Sequence, residues 1–241
     1  MKISIIIPAF NEEKLIGKTL RTIREAAEVF AEMRWEFELI VCDNNSTDRT
    51  AEIAKENGAI VVFERLNQIG RARNTGARAA SGDWLIFIDA DSTPNPGLFR
   101  AVVREIQSGA CIGGGATIRP DQPILFISLV IWFWNLISRL KRWAAGAFIF
   151  CEANAFRQIG GFNEELFVTE EIELSNRLNA LARAQRRKVS IISDFPLVTS
   201  VRKVHLYSAF EYTRFLVKLA LRPGSILRQR EACPIWYDGR R

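Results

Sequence analysis

The sequence predicts an α/β domain built on one mostly parallel sheet flanked by helices. Three observations carry that expectation. Short apolar runs alternate with amphipathic stretches of helical period along the first half of the chain. The first run, Ile3 to Ile7, is nearly continuous in β-branched residues, as strands buried on both faces are. Three runs end in polar groups: Asn11-Glu12, Asp43, and Asp89 with Asp91. Parallel strands would set these groups along one edge of the sheet, where open α/β sheets hold their ligands.

The elements follow in order. Strand Ile3–Ile7 is broken by Pro8-Ala-Phe-Asn-Glu12. Residues 13–33 form a helix with Leu15, Ile16, Leu20, Ile23, Ala27 and Phe30 on one face. Phe37 to Cys42 is the second strand and runs into Asp43. The turn cluster Asn44-Asn-Ser-Thr-Asp48 caps a helix over about 48–57. Ile60–Phe63 is the third strand, and Gln68–Ala80 is a helix rich in Ala and Arg. Asp83–Ile88 is the fourth strand, and Pro94–Ser108 is the next helix. A strand over Ala147–Cys151 and a helix over Ala153–Ile159 lead to Gly160-Gly161. Thr169 is expected to cap a helix over Glu170–Ala184, in which Glu173 pairs with Arg177 at i, i+4. Then come a strand at Val189–Ile192 and an amphipathic helix over Tyr207–Leu221, ended by Arg222-Pro223-Gly224.

Composition narrows the function. The chain has 241 residues, 48% of them hydrophobic, enough for a sizeable core. Residues 1–138 hold 15 basic and 17 acidic side chains, whereas residues 139–241 hold 18 and 10. A basic C-terminal part suits an anionic partner such as a phosphate or an acidic membrane surface. No aromatic and basic interleaving of a nucleic-acid module is present, so no nucleic-acid partner is expected. Cys42, Cys111, Cys151 and Cys233 are scattered without a CxxC pair, which disfavours a zinc site and fits a reducing, cytoplasmic setting. The opening residues read as a first strand and not as a signal peptide. Neither a dinucleotide-binding glycine motif nor a P-loop follows the first strand.

The carboxylates hold the clearest chemistry. Asp89 and Asp91, at i and i+2 after a buried strand, point to the same side of extended chain. Hard oxygen donors in that arrangement suit Mg²⁺ or Mn²⁺ and, through the metal, a phosphate. Read alone, the pair is equally a polar turn that closes a strand.

Six segments together resemble family-2 glycosyltransferases of the GT-A fold. They are Ser4-Ile-Ile-Ile-Pro-Ala-Phe-Asn-Glu-Glu13, Cys42-Asp-Asn-Asn-Ser-Thr-Asp-Arg-Thr50, Asn67-Gln-Ile-Gly-Arg-Ala-Arg-Asn74, Asp89-Ala-Asp91, Gly160-Gly-Phe-Asn-Glu164 and Thr169-Glu-Glu-Ile-Glu-Leu174. The resemblance spans roughly residues 3–180 and implies an inverting transferase that takes a sugar from a nucleotide-diphosphate sugar to an acceptor hydroxyl. It implies that Pro8, Phe10 and Glu12 line the nucleotide pocket, that Asp43 bonds the base, and that Arg71 and Arg73 lie near the nucleotide. It also implies that Asp91 is the firmer metal ligand, with Asp89 shared between the metal and the donor ribose. Glu171 matches the catalytic base. The family more often has Asp there, so Glu170 stays open as the alternative. His205, the only histidine, either completes the metal shell or meets the diphosphate in some such enzymes; otherwise it is a surface residue beside a basic run. Arg202 and Lys203 stand next to it as phosphate grips.

The resemblance organises the chain into a donor half, 1–118, an acceptor half, 119–221, and a basic tail, 222–241. Residues 122–138 carry no charge, but a single membrane crossing there would part Asp91 from Glu171. The stretch 122–143 is therefore expected to be a core helix, to pack over the acceptor site, or to lie in a membrane interface, with Trp132, Trp134, Arg139, Lys141, Arg142 and Trp143 as its anchors. The last option places the protein peripherally at the inner face of the cell membrane, near a saccharide or lipid-linked acceptor. Two other functions share parts of the pattern: a sugar-nucleotide-forming nucleotidyltransferase, whose glycine-rich opening loop is missing here, and a non-catalytic membrane-surface module.

Overall fold

The structure, a computed structural model, describes residues 1–202, 227–230 and 237. The expected helix over Tyr207–Leu221 lies outside the described residues. One eight-stranded sheet runs through the domain in the order β3-β2-β1-β4-β7-β6-β8-β5. Its strands are β1 (Lys2–Ala9), β2 (Glu36–Asp43), β3 (Ile60–Phe63), β4 (Trp84–Ile88), β5 (Ser92–Thr93), β6 (Cys111–Pro120), β7 (Phe148–Glu152) and β8 (Lys188–Thr199). The helices are α1 (Ile16–Glu32), α2 (Thr50–Glu56), α3 (Ile69–Ala79), α4 (Pro96–Gln107), α5 (Leu125–Lys141), α6 (Ala153–Gln158) and α7 (Glu170–Ala184).

The two faces of the sheet sort by the strand period of two. On one face Ile5, Ile7, Leu39, Val41, Ile86 and Ile88 pack against Leu20, Ile23 and Phe30 of α1 and Leu98, Phe99 and Val102 of α4. On the other, Ile6, Ile40, Leu85 and Phe87 meet Phe156 of α6 and Leu174 and Leu178 of α7. α4 starts where its sequence dictates: Asn95 caps it by accepting from Leu98 N at 3.0 Å, and Pro96 takes the first turn.

β3, β2, β1 and β4 run parallel, and Ala9 is in register with Asp43. Their carboxyl ends therefore share one edge. Past β4 the direction changes, because β7 is antiparallel to both β4 and β6. β6 has no strand signature, since glycine removes the side chains that make one. Its glycines have a packing reason. A Cβ at Gly113 would lie 2.7 Å from Phe150 O, and one at Gly114 would lie 1.8 Å from Ser190 O. The neighbouring strands thus close directly onto bare backbone. β8 is far longer than the four residues expected, because Lys188–Thr199 is paired with β6 along most of its length.

Two local expectations are corrected. Thr169 stands before α7 but makes no side-chain cap, and it adopts a left-handed φ of 66°. And α5 is not a core helix: eight of its large apolar side chains are exposed. The pair Glu173–Arg177 forms as expected, at 2.5 Å.

Gly114→Ala is expected to cost about 2–3 kcal/mol through overpacking. A urea midpoint equal to the parent's would contradict this strand pairing.

Candidate active site

The site is built at the carboxyl edge of the parallel strands, from loops that the strands release. After β1, Pro8 and Phe10 enter a pocket that Glu12, Asn44, Asn67, Ile69, Asp89, Asp91 and Tyr237 also line. The loop after β2 forms its floor. Asn44 does not cap a helix; it clasps backbone, donating to Glu64 O and Leu66 O and accepting from Gln68 N at 2.9 Å. Asp43 is buried behind the pocket and accepts from Ser46 N at 3.1 Å. Glu12 is buried too, and its carboxylate takes Arg202 Nη2 at 2.7 Å. Arg202, just after β8, thereby reaches a residue of this pocket. His205 and Lys203 lie outside the described residues.

Of the two arginines expected near the nucleotide, the structure separates the roles. Arg71 does not line the pocket; it pairs with Glu164 at 2.8 Å. Arg73 is only 1% exposed. Its Nη1 donates to Glu170 at 2.7 Å, and its Nη2 donates to Asp89 at 3.0 Å and to Gly146 O at 2.7 Å. The guanidinium carbon lies 5.2 Å from the centroid of the Phe162 ring. A buried cation needs such partners, and a planar fork can serve several at once.

A second pocket opens beside the first and shares Ile69 and Asp89 with it. Gly146, Ala147, Phe167, Thr169, Glu170 and Glu171 form its other walls. Thr169 turns the chain so that the first residues of α7 face inward. Burial, then repulsion from Glu171, raises the Glu170 carboxyl well above the ordinary carboxylate range, against the pull of Arg73. Burial raises Glu171 as well, against a backbone hydrogen bond at its own amide and the pull of Arg73. The two carboxyls act as one proton-holding unit next to a fixed cation.

Tyr237 was not foreseen. Its hydroxyl donates to Phe167 O at 2.7 Å and accepts from Ile69 N at 3.3 Å, and its ring stacks edge-on against Phe167. It thus walls the first pocket while touching a residue of the second. The only signal was an aromatic pair, Trp236-Tyr237, in an otherwise basic tail.

The donor set fits a divalent cation that takes the rest of its shell from a ligand. Among the described residues no cluster of three His, Cys, Asp or Glu could hold a metal. Asp89 and Asp91 supply carboxylate oxygens to the same pocket. Mg²⁺-type sites use one or two carboxylates plus substrate phosphates, and two carboxylates at one pocket would suit that pattern.

Residues 4–159 match the profile of glycosyl transferase family 2. The chain belongs to that family. An uncharacterised glycosyltransferase of Mycobacterium tuberculosis is 32% identical over 142 residues, covering 57% of this chain and 60% of that protein. The chain spans about half the length of such relatives. Solved structures share its GT-A fold. A mannosyltransferase from Pyrobaculum calidifontis, in complex with GDP-Man and Mn²⁺, superposes with a TM-score of 0.69 at 19% identity, covering 98% of this chain and 67% of that one. Staphylococcus aureus TarS 1-349, in complex with UDP-GlcNAc, gives 0.64 at 19% identity, covering 99% and 71%.

Arg73→Met strands two carboxylates and should cost about 3–5 kcal/mol. Denaturant titration of Arg73→Met, Glu170→Gln and the double variant measures this. Strictly additive losses would contradict the coupling.

The raised Glu170 carboxyl also sets a pH slope. Between its unfolded and folded pKa values the native state binds more protons than the unfolded state, so stability is full at low pH and falls as pH rises. Thermal midpoints from about pH 5 to about pH 9 should decline, and Glu170→Gln should flatten that decline. An unchanged slope in the variant would remove Glu170 as its source.

Proposed function

We propose that this chain is an inverting, metal-assisted glycosyltransferase that moves a sugar from a nucleotide-diphosphate donor to an acceptor hydroxyl. One observation carries the reading: two pockets share Asp89, one holding the carboxylate pair Asp89 and Asp91, the other a buried carboxyl pair of raised pKa. The complexes of the Pyrobaculum enzyme with GDP-Man and Mn²⁺, and of TarS with UDP-GlcNAc, support a nucleotide-sugar donor and a divalent ion. In this reading 1–118 is the donor half, 119–221 the acceptor half and 222–241 a basic tail.

Each group has a task. Pro8 and Phe10 pack on the nucleoside, with Asp43 and Glu12 supporting that wall. Arg202, which already reaches Glu12, would meet the donor phosphates. Asp91, with Asp89, would hold Mn²⁺ or Mg²⁺, which when bound neutralises charge on the departing diphosphate. Glu171 takes the acceptor proton as the hydroxyl oxygen bonds to the anomeric carbon and the carbon–oxygen bond to the diphosphate breaks. A single displacement from the opposite face inverts that carbon. Glu170, tied to Arg73, stores the pair's shared proton and keeps Glu171 aimed. The acceptor is a saccharide or lipid-linked hydroxyl, reached from the cytoplasmic side. Direct attack on a nucleoside triphosphate, the nucleotidyltransferase alternative, would instead release pyrophosphate.

Glu171→Gln should retain donor binding and lose about 10²–10⁴-fold in transfer. Asp91→Asn should lose metal-dependent donor binding with the fold intact. Calorimetry with nucleotide sugars and Mn²⁺, followed by turnover assays, separates the two. If Glu170→Gln is inactive while Glu171→Gln turns over, the base assignment is reversed.

A further inference from the structure

α5 reverses the usual arrangement of a surface helix. Two of its uncharged polar residues, Asn135 and Ser138, face the domain. Asn135 accepts from Ile118 N at 3.0 Å and donates to Ile118 O at 2.8 Å, which stitches the helix to β6. Ser138 is fully buried and donates to Trp143 O at 2.5 Å. The outward face is apolar: Leu125, Leu129, Trp132, Phe133, Leu136 and Leu140 recur at three- and four-residue spacing, and Leu129, Trp132 and Phe133 are 61%, 63% and 57% exposed. A contiguous face of this kind marks an interaction site.

Charge and length select the occupant. Arg139, Lys141 and Arg142 close the helix as exposed cations, and there is no acidic residue in its first turn. A protein-covered stripe has no need of a cationic collar, whereas an anionic lipid surface attracts one. The 17 residues span about 26 Å, short of the ~30 Å of a bilayer core, and no helix among the described residues is long and apolar enough to cross. Trp132 is an amphipathic ring suited to headgroup depth.

We propose that α5 lies in the plane of an anionic membrane, with its apolar face among the acyl chains and its cations at the headgroups. The chain after the helix leads directly to the second pocket. After Lys141 the chain returns to the domain, where Trp143 Nε1 donates to Asn176 at 2.8 Å and Ala144 N donates to Ser175 Oγ at 3.0 Å, both on α7. Gly146 and Ala147 then line the pocket itself. Docked through α5, the domain holds its base-bearing pocket close to the lipid surface. The docking stands on α5 alone; access of a membrane-borne acceptor rests also on the transfer reading.

Vesicle co-sedimentation tests the docking without reference to catalysis. The full chain is mixed with vesicles of phosphatidylcholine alone, or of phosphatidylcholine and phosphatidylglycerol in equal parts. We expect binding to the anionic vesicles, weakened by salt, with a blue shift of tryptophan fluorescence. Leu129→Glu with Phe133→Glu should weaken it about tenfold or more, because two apolar anchors become charges. Both positions are exposed, so the thermal midpoint should hold. Arg139→Glu with Lys141→Glu should remove the preference for anionic over neutral vesicles. Absence of binding by the parent chain, or full binding by Leu129→Glu with Phe133→Glu, overturns the proposal. So does a stable dimer that those two substitutions dissociate, since the face would then be occupied by a second copy.

Discussion

The Arg73 guanidinium is the interaction on which the site depends. It sits on α3, wholly inside the protein, and reaches the end of β4, the loop before β7 and the first turn of α7. A cation taken that far from water is tolerated only if its partners are fixed as firmly as it is. The converse also holds. Asp89, Glu170 and Glu171 crowd one small volume, and without a cation among them their repulsion would open it. Arg73 is therefore structural cement and an electrostatic setting at once. It offsets part of the burial penalty on the glutamates, though not all, and their carboxyls stay raised.

The change of direction in the sheet follows from the same need. Parallel strands alone deliver the edge that holds the first pocket: the loops after β1, β2 and β4 converge there because their registers coincide. Nothing in that half brings a carboxyl pair to Asp89. The segment from β6 to β7 does so by running antiparallel to β4, so that Ala147 O accepts from Asp89 N at 3.3 Å and Gly146 O meets Arg73. The strained Thr169 then starts α7 so that Glu170 is turned inward. Backbone strain at such a position persists where surrounding contacts over-determine it, and here the Arg73–Glu170 pair does.

How legible this was in the sequence depended on what each residue's environment writes into its neighbours. The parallel strands could be read because burial on both faces demands unbroken apolar runs. The polar strand ends could be read because they interrupt those runs. Arg73 is placed near the nucleotide only by the family resemblance; the Ala- and Arg-rich helix pattern itself does not mark it as buried. Its burial is hinted at only by Gly70, Ala72, Asn74 and Gly76 around it, residues small enough to let the helix press against the sheet. β6 was invisible for a related reason: close backbone contact selects glycine, and glycine carries no strand pattern. Tyr237 depends on a contact 168 residues away, which no local periodicity records.

α5 shows where hydropathy stops being informative and side-chain direction takes over. An apolar 17-residue helix is equally consistent with a core, a subunit contact or a lipid surface. Its polar residues discriminate, because each must find a partner wherever it points. In a core helix Asn135 and Ser138 would mark the solvent side. Here both point inward and satisfy backbone groups of Ile118 and Trp143. With Asn135 and Ser138 committed to the domain, the outward surface of the helix before its terminal cations is mostly apolar. Folding gains nothing from that choice, since Leu or Phe exposed to water contributes no burial energy. The proposed docking of α5 on an anionic surface would bury this outward face, with the cations at the helix end meeting the headgroups.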